Sequence, residues 1–199
     1  MRRLLFLCCC LAATLSVHAQ QDSLKASLRA EVLLETTEGN IRLQLFNETP
    51  RHRDNFLRLV TEHFYDSLLF HRVIPNFMIQ CGDPNSRHAE PGAHLGGGDL
   101  PYKIEPEILP DVRHVYGSVA AARLGDNVNP GRLSSASQFY IVTNRRGTPH
   151  LDGGYTVFGQ VVEGMDVADR IQRKIRDDDN RPVYDVRILR ATVIRGNSE

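Results

Sequence analysis

Residues 70–84, FHRVIPNFMIQCGDP, combine residue types that rarely share one strand. Arg72 stands beside an apolar run that contains Phe77 and Met78, and one neutral amide, Gln80, interrupts that run. A buried strand gains nothing from Arg72, because an unpaired charge among apolar side chains is costly. A surface strand gains nothing from a phenylalanine next to a methionine. The stretch therefore indicates a site where a guanidinium, a rigid and permanently charged donor, lies beside an apolar pocket.

Two further segments share this mixture of polar and apolar residues. In SSASQFYIV, Gln138 is followed by Phe139 and Tyr140, and in HLDGGYTVFG, Leu151 and Tyr155 flank a tight Asp-Gly-Gly turn. Each segment alone is compatible with an ordinary hydrophobic core. Three such segments in one chain indicate a functional site rather than core alone.

Other chemistries have weaker support. The GGG at 96–98 lacks the strand, loop and helix order and the GK[ST] of a phosphate loop. The DDDN run at 177–180 lacks the glycine and glutamate of an EF-hand and is typical of a solvated turn. The histidines and Cys81 have no metal-ligand spacing, and SSASQ is not a nucleophile elbow. We therefore expect neither a metal ion nor a cofactor.

Alternating residue patterns predict mainly β structure. AEVLLETT, the turn EGN and IRLQLF form a predicted hairpin in which Ile41, Leu43 and Leu45 share one face. Short strands are also predicted in LLFHRVI and FMIQC, and later in VYGSVAAA, QFYIVT and YTVFGQVV. In the closing segment VRILRATVIRG the apolar residues change parity after Ile188, which predicts a β-bulge.

Two helices complete the predicted fold. Thr49 is suited to an N-cap and Pro50 to the first turn of one helix, and a second helix is predicted from Met165 to about Lys174. The apolar stripe of the first helix consists of Phe56, Leu57, Val60 and Phe64. Short strands with two helices in a single domain favour a closed, mainly antiparallel eight-stranded barrel over a βαβ fold.

Length and composition set further bounds. Lys plus Arg and Asp plus Glu both number 24, so no excess of charge points to nucleic acid. An apolar content of 41% and a charged content of 24% are typical of a soluble globular protein. We predict one domain at residues 30–196, preceded by a short polar lead at residues 20–29.

The first 19 residues have the pattern of a secretory signal peptide. Arg2 and Arg3 form a positive region, and an apolar stretch too short for a comfortable bilayer span follows. Val17 and Ala19 are the small residues that a cleavage site requires, so we expect cleavage after Ala19. The pattern predicts a periplasmic or secreted protein with no membrane span.

The cysteines leave one alternative to a freely exported chain. Cys8, Cys9 or Cys10 could be the acceptor of a lipoprotein signal, although the residues before each cysteine are bulky or are cysteine. After cleavage only Cys81 remains, which excludes a disulfide framework. We expect Cys81 to pack as a small apolar side chain.

The three motif segments resemble the signature blocks of the cyclophilins, the cyclosporin-binding peptidyl-prolyl cis-trans isomerases. NFLRLV and GSVAAAR fit the same pattern in the same order, and the resemblance runs from about Glu31 to Ile194. It implies an eight-stranded antiparallel barrel with a helix at each end and a groove on its outer face. It also implies isomerisation of X-Pro bonds in proline-containing peptides and in folding exported proteins, by a monomer without a cofactor.

Carried over by position, the resemblance implies two catalytic residues and ten substrate-binding residues. The catalytic residues are Arg72 and Gln80. The substrate-binding residues are His71, Phe77, Met78, Ala122, Arg123, Gln138, Tyr140, His150, Leu151 and Tyr155.

The chemistry implied by the resemblance needs no nucleophile. Rotation about an X-Pro bond is opposed by amide resonance, about 18–20 kcal/mol. The prolyl nitrogen gains a basic lone pair when resonance is lost, so a fixed donor is bound more strongly in the twisted state. Arg72 would supply that donor and Gln80 would hold it. Gln138 and the backbone of Arg123 would hold the neighbouring peptide groups.

Four positions depart from the commoner family pattern. His150 stands where most eukaryotic members carry tryptophan, so we expect weak cyclosporin binding. Tyr140 replaces phenylalanine and Tyr155 replaces histidine, and both keep an aromatic ring. Arg123 replaces the asparagine of the animal enzymes, and we expect it to act mainly through its backbone.

Two other functions are compatible with a small barrel. One is a module that binds proline peptides without catalysis, but such a module would tolerate loss of Arg72 and Gln80. The other is a barrel that carries a small ligand inside, as lipocalins do. Side chains fill the interior of a barrel this small, which disfavours the second alternative.

Overall fold

The computed structural model describes residues 29–195. The predicted signal peptide and all but the last residue of the predicted lead lie outside the described residues. Within the described range, every helix is too short or too polar to span a lipid bilayer.

The described residues form ten strands and two α-helices. The strands are β1 (Glu31–Thr36), β2 (Gly39–Leu45), β3 (Arg72–Ile74), β4 (Met78–Cys81), β5 (Lys103–Ile104), β6 (Ser118–Ala121), β7 (Ser134–Ser135), β8 (Phe139–Val142), β9 (Val157–Glu163) and β10 (Ile188–Arg195). The helices are α1 (Pro50–Thr61) and α2 (Met165–Ile171), and short 3-10 turns occur at Pro84–Ser86 and Pro149–Leu151.

Eight of the strands form one strongly curled antiparallel sheet in the order β10-β1-β2-β9-β6-β8-β4-β3. Its two edges are joined by the segments that precede β3 and β10. There the N–H of Ile188 donates to the carbonyl of Leu68 at 2.9 Å, and that of Phe70 donates to Val186 at 2.9 Å. The predicted eight-stranded antiparallel fold is confirmed, and a few bonds outside the strand ladders bring its edges together. The short strands β5 and β7 pair separately.

The inner face of the curled sheet carries the core. Ile41, Leu43 and Leu45 of β2 are fully buried, while Arg42 and Gln44 between them are not. This alternation confirms the predicted hairpin, since β1 pairs with β2 in register.

The last strand contains the predicted bulge. Thr36 of β1 pairs with Ile188, whereas its neighbour Glu35 pairs with Arg190, so Leu189 has no partner on β1. Leu189 is 56% exposed, although the residue pattern placed it on the buried face with Ala191. The bulge itself turns this leucine outward, because the extra residue falls out of the alternation.

Helix α1 begins at Pro50 as predicted, but Thr49 does not cap it with its side chain. The carboxylate of Glu107 accepts the N–H groups of Arg51 and His52 at 3.0 Å each, and the His52 ring donates to it at 2.7 Å. A distant carboxylate therefore satisfies the free N–H groups of the first turn and stabilises the helix dipole.

The remaining helix details differ from the prediction in three ways. Leu57 is only partly buried, Leu59 takes its place in the buried stripe of α1, and Phe64 lies beyond the end of the helix at Thr61. Helix α2 ends at Ile171 rather than near Lys174. The N–H of Lys174 donates to the carbonyl of Ile171, a tight i to i−3 bond that ends regular α-helix geometry.

Candidate active site

The hairpin of β3 and β4 presents the first motif. Arg72 pairs with Gln80, and Val73 pairs with Ile79. Val73 and Ile79 are fully buried in the core. Because neighbouring side chains alternate across a sheet, Arg72 and Gln80 lie together on the outer face. Strand β8 extends this face, since Gln80 pairs there with Tyr140.

Most of the predicted site residues line one pocket on that outer face. Its volume is about 160 Å³. Pockets for drug-sized ligands occupy roughly 300–1,000 Å³, so this one is sized for a single small ring. The nine predicted residues that line it are Arg72, Phe77, Met78, Gln80, Ala122, Arg123, Tyr140, Leu151 and Tyr155.

A chain of hydrogen bonds fixes Arg72 at the pocket. Arg72 Nη1 donates to Gln80 Oε1 at 3.3 Å, and Gln80 Nε2 donates to Gln138 Oε1 at 2.8 Å. Gln138 Nε2 donates in turn to the carbonyls of Gly96, at 3.0 Å, and Gly98. Gln138 therefore lies behind Gln80, in a neighbouring pocket.

Arg72 carries an uncompensated charge. Burial lowers the pKa of its guanidinium from the ordinary value, which still leaves it a cation at neutral pH. No carboxylate of residues 29–195 forms an ion pair with it, so its only side-chain partner in that range is the neutral amide of Gln80. Its remaining N–H groups are available to a ligand in the pocket.

The glycine run at 96–98 supports this chain of amides. The buried carboxylate of Asp83 accepts the N–H groups of Asn85 at 2.8 Å and of Gly98 at 3.3 Å. A Cβ at Gly98 would lie 2.1 Å from Asp83 Oδ1, so a side chain there would displace the Asp83 carboxylate. The run is thus a turn built around Asp83 that holds two carbonyls toward Gln138. No role for these glycines was predicted from the sequence.

Two aromatic contacts define the rim. His150 is exposed, and its ring stacks on Phe77 with centroids 5.6 Å apart. The Arg123 guanidinium lies 4.3 Å from the centroid of Tyr155 and donates to the carbonyl of Gly154 at 2.7 Å. The side chain of Arg123 therefore packs on a pocket residue, and a role for its backbone in holding the peptide stays a prediction.

His71 is set back from the pocket. It is buried and lines an adjoining cavity with Gly96 and Arg181. Burial lowers the pKa of His71 to about 4, partly offset by the nearby Asp83 carboxylate. The imidazole is therefore neutral at neutral pH.

Two residues that were not predicted as site residues also lie near the pocket. His114 and Asp152 lie behind the wall formed by Tyr140 and Leu151, joined by a bond of 2.8 Å. Asp152 belongs to the Asp-Gly-Gly turn that the sequence singled out, but no local pattern marked His114. Among residues 29–195, no group of three or more histidine, cysteine or acidic side chains is placed to hold a metal ion.

The buried thiol of Cys81 takes no part in the site. It is fully buried on β4 with its side chain in the core. Burial raises the pKa of this thiol well above its ordinary value, so it is protonated and unreactive. The expectation of a packed apolar side chain is confirmed.

Comparisons with known proteins identify the family. Residues 31–193 match the model of the cyclophilin type peptidyl-prolyl cis-trans isomerase family. The chain is 36% identical over 175 residues to peptidyl-prolyl cis-trans isomerase-like 1 of Aspergillus fumigatus, covering 86% of this chain and 100% of the relative. It is 38% identical over 171 residues to the Neurospora crassa protein of the same name, covering 84% of this chain and 96% of the relative.

Solved structures agree with these relatives. A cyclophilin type isomerase of Cryptosporidium parvum superposes with a TM-score of 0.70 at 25% identity, covering 83% of this chain and 97% of the other. The same protein crystallised in the presence of the dipeptide Ala-Pro superposes with a TM-score of 0.69, at 82% and 98% coverage. The chain belongs to the cyclophilin-type peptidyl-prolyl cis-trans isomerases, the enzymes that interconvert cis and trans X-Pro peptide bonds.

Proposed function

We propose that the 160 Å³ pocket binds the proline ring of an X-Pro segment and that Arg72 stabilises the twisted prolyl amide. One observation carries this proposal: a guanidinium with no ion pair among residues 29–195 lies beside Met78 and Leu151 in a pocket sized for one ring. The crystals of the Cryptosporidium relative with Ala-Pro support proline-containing peptides as the ligand class.

In this mechanism the pocket holds the proline ring on one side of the X-Pro bond and leaves the preceding residue on the other side free to rotate. Met78, Tyr140 and Leu151 hold the ring, so the residue before proline is the part that rotates. As resonance is lost, the nitrogen pyramidalises and accepts a bond from the guanidinium. Because that bond is stronger in the twisted state than in the planar ground states, it lowers the barrier. Gln80 and Gln138 keep the donor in place beforehand, so no reorganisation is needed during rotation.

An NMR titration with an Ala-Pro-containing tetrapeptide tests where the peptide binds. We expect the methyl signals of Met78, Ala122 and Leu151 to shift together and saturably, because all three side chains line the pocket. The methyl signals of Val115, which lines a separate cavity, serve as the internal control and should stay unchanged. Shifts confined to the second cavity would contradict the assignment.

We further propose that the enzyme acts as a monomer on exported proteins, in the periplasm or outside the cell. The support for export lies in the first 19 residues: a basic start, a short apolar stretch, and Val17 and Ala19 at a cleavage site. The monomeric state is what the family resemblance implies. A periplasmic location would imply a bacterial origin, which is part of this proposal, since the relatives named above are eukaryotic.

Mass spectrometry of the mature protein tests the export proposal. We expect an N-terminus at Gln20, because Ala19 offers the small side chain that signal peptidase requires. An Ala19→Arg variant is the matched control and should retain the leader. A lipid-modified N-terminal cysteine, from Cys8, Cys9 or Cys10, would replace the soluble assignment with an anchored one.

A further inference from the structure

One buried histidine holds the loop that forms a wall of the pocket. The 3-10 turn Pro149–Leu151 carries His150 and Leu151. On one side of this turn, the N–H of Thr148 donates to the carbonyl of His114 at 2.8 Å. On the other side, the carboxylate of Asp152 accepts both the backbone N–H and the ring Nδ1–H of His114, each at 2.8 Å. His114 is thus bonded to the loop immediately before and after the turn.

The other ring nitrogen of His114 contacts a second wall. Its Nε2 lies 3.1 Å from the hydroxyl of Tyr140, and the two rings are nearly parallel, at 10°. Burial lowers the pKa of His114, so the imidazole is neutral at neutral pH. Since Nδ1 donates its hydrogen to Asp152, Nε2 has a free lone pair, and the Tyr140 hydroxyl donates to it.

His114 itself lies outside the pocket. It is 2% exposed and is absent from the residues that line the cavity. Tyr140 lies on β8, and Leu151 lies in the 3-10 turn eleven residues further along the chain. Within residues 29–195 no strand ladder connects Leu151 to β8. The two walls meet through apolar packing and through the hydrogen bonds of the His114 imidazole, which are the directional contacts between them.

We propose that His114 is a positioning residue that sets the spacing between the Tyr140 and Leu151 walls of the proline pocket. The proposal rests on the assignment of that pocket as the substrate site. Since the walls hold the proline ring in the ground state and the transition state alike, loosening them raises KM and leaves kcat nearly unchanged.

A merely structural role for the buried pair is the alternative, and the chain contains a matched control for it. His52 is also 2% exposed and bonds to a carboxylate, that of Glu107, at 2.7 Å. That pair caps helix α1 and does not line the pocket. Loss of either histidine removes a buried hydrogen-bonded imidazole, but only His114 touches the pocket walls.

The experiment compares His114→Asn, His114→Gln and His52→Asn on one X-Pro peptide. The asparagine amide can still donate to Asp152 but cannot reach Tyr140, so KM should rise about fivefold, the size of one net hydrogen bond. The glutamine carbonyl reaches toward the position of Nε2 and should recover most of that loss. His52→Asn should lower Tm without changing KM.

A double-mutant cycle isolates the contact with Tyr140. In a Tyr140→Phe background the hydroxyl is already absent, so His114→Asn should raise KM by less than about twofold more. Equal losses in both backgrounds, an unchanged KM, or no recovery with glutamine would overturn the proposal. If His114→Asn does not fold, Tyr140→Phe alone decides, because we expect it to raise KM about threefold and an unchanged KM refutes the link.

Arg72→Ala, measured on the same peptide, distinguishes failure of the pocket assignment from failure of the positioning role. Full turnover in Arg72→Ala would refute the donor mechanism and remove the observation that assigns the pocket as the substrate site, on which this inference rests. Lost turnover in Arg72→Ala with unchanged KM in the His114 variants would overturn only the positioning role.

Discussion

Arg72→Ala should lower kcat/KM on an X-Pro peptide roughly 10²–10³-fold, the loss typical of removing one well-placed transition-state donor. The reduction should fall mainly on kcat, because the bond to the prolyl nitrogen forms only as the amide twists. The surroundings of the guanidinium favour this role, because they leave its charge uncompensated and fix its direction. It is half-buried, it has no carboxylate partner in residues 29–195, and Gln80 restricts its direction.

The variant should remain folded. Arg72 contributes one hydrogen bond of 3.3 Å to a neutral amide, so its loss removes little stabilisation. Arg42→Ala is a matched control, since Arg42 is a partly buried strand arginine, with its side chain 33% exposed, that lines none of the described cavities. We expect its turnover to stay within about twofold of the parent, because arginine loss away from reacting groups is close to neutral.

Arg72→Lys gives a finer test of the geometry. Lysine keeps the positive charge but presents it as a flexible point charge instead of a planar fork. We expect turnover between those of the parent and Arg72→Ala. A folded Arg72→Ala protein with near-normal kcat/KM, as measured in a protease-coupled assay, would refute the donor mechanism.

Features that depend on a local repeat of residue types were predictable from the sequence. The alternation of Ile41, Leu43 and Leu45 depends only on the two-residue period of a strand, and it predicted the hairpin. The residue pattern also predicted short strands in LLFHRVI and FMIQC, which contain Arg72 and Gln80, and the structure shows that these strands pair. Both inferences need only neighbours in the chain, so sequence alone sufficed.

Features that join distant segments were not predictable in this way. Glu107 caps a helix that begins more than fifty residues earlier in the chain. No capping motif near the start of that helix could therefore have identified it. The contact between Gln80 and Gln138, and the bond from Tyr140 to His114, also depend on how separate strands meet in the sheet. The polar groups that support the site are therefore the part that required the structure.

His150→Trp should tighten cyclosporin binding by about 1–2 kcal/mol, or roughly 5- to 30-fold, the scale of one buried aromatic contact. The family resemblance associates tight binding with an indole at this position. In this chain the position is exposed at the rim, where the His150 ring already stacks on Phe77. An indole offers a larger apolar face and keeps an N–H donor, whereas imidazole is smaller and more polar.

The same substitution should change turnover on small peptides much less. His150 does not line the 160 Å³ pocket, and neither Arg72 nor its bond to Gln80 is altered. His88→Trp is the control for any general effect of an exposed indole, since His88 is exposed and lines none of the described cavities. Calorimetric titration of the three proteins decides the matter. Nanomolar binding by the natural protein, or an equal gain from His88→Trp, would contradict the role of position 150, because affinity would then come from the pocket or from indole exposure alone.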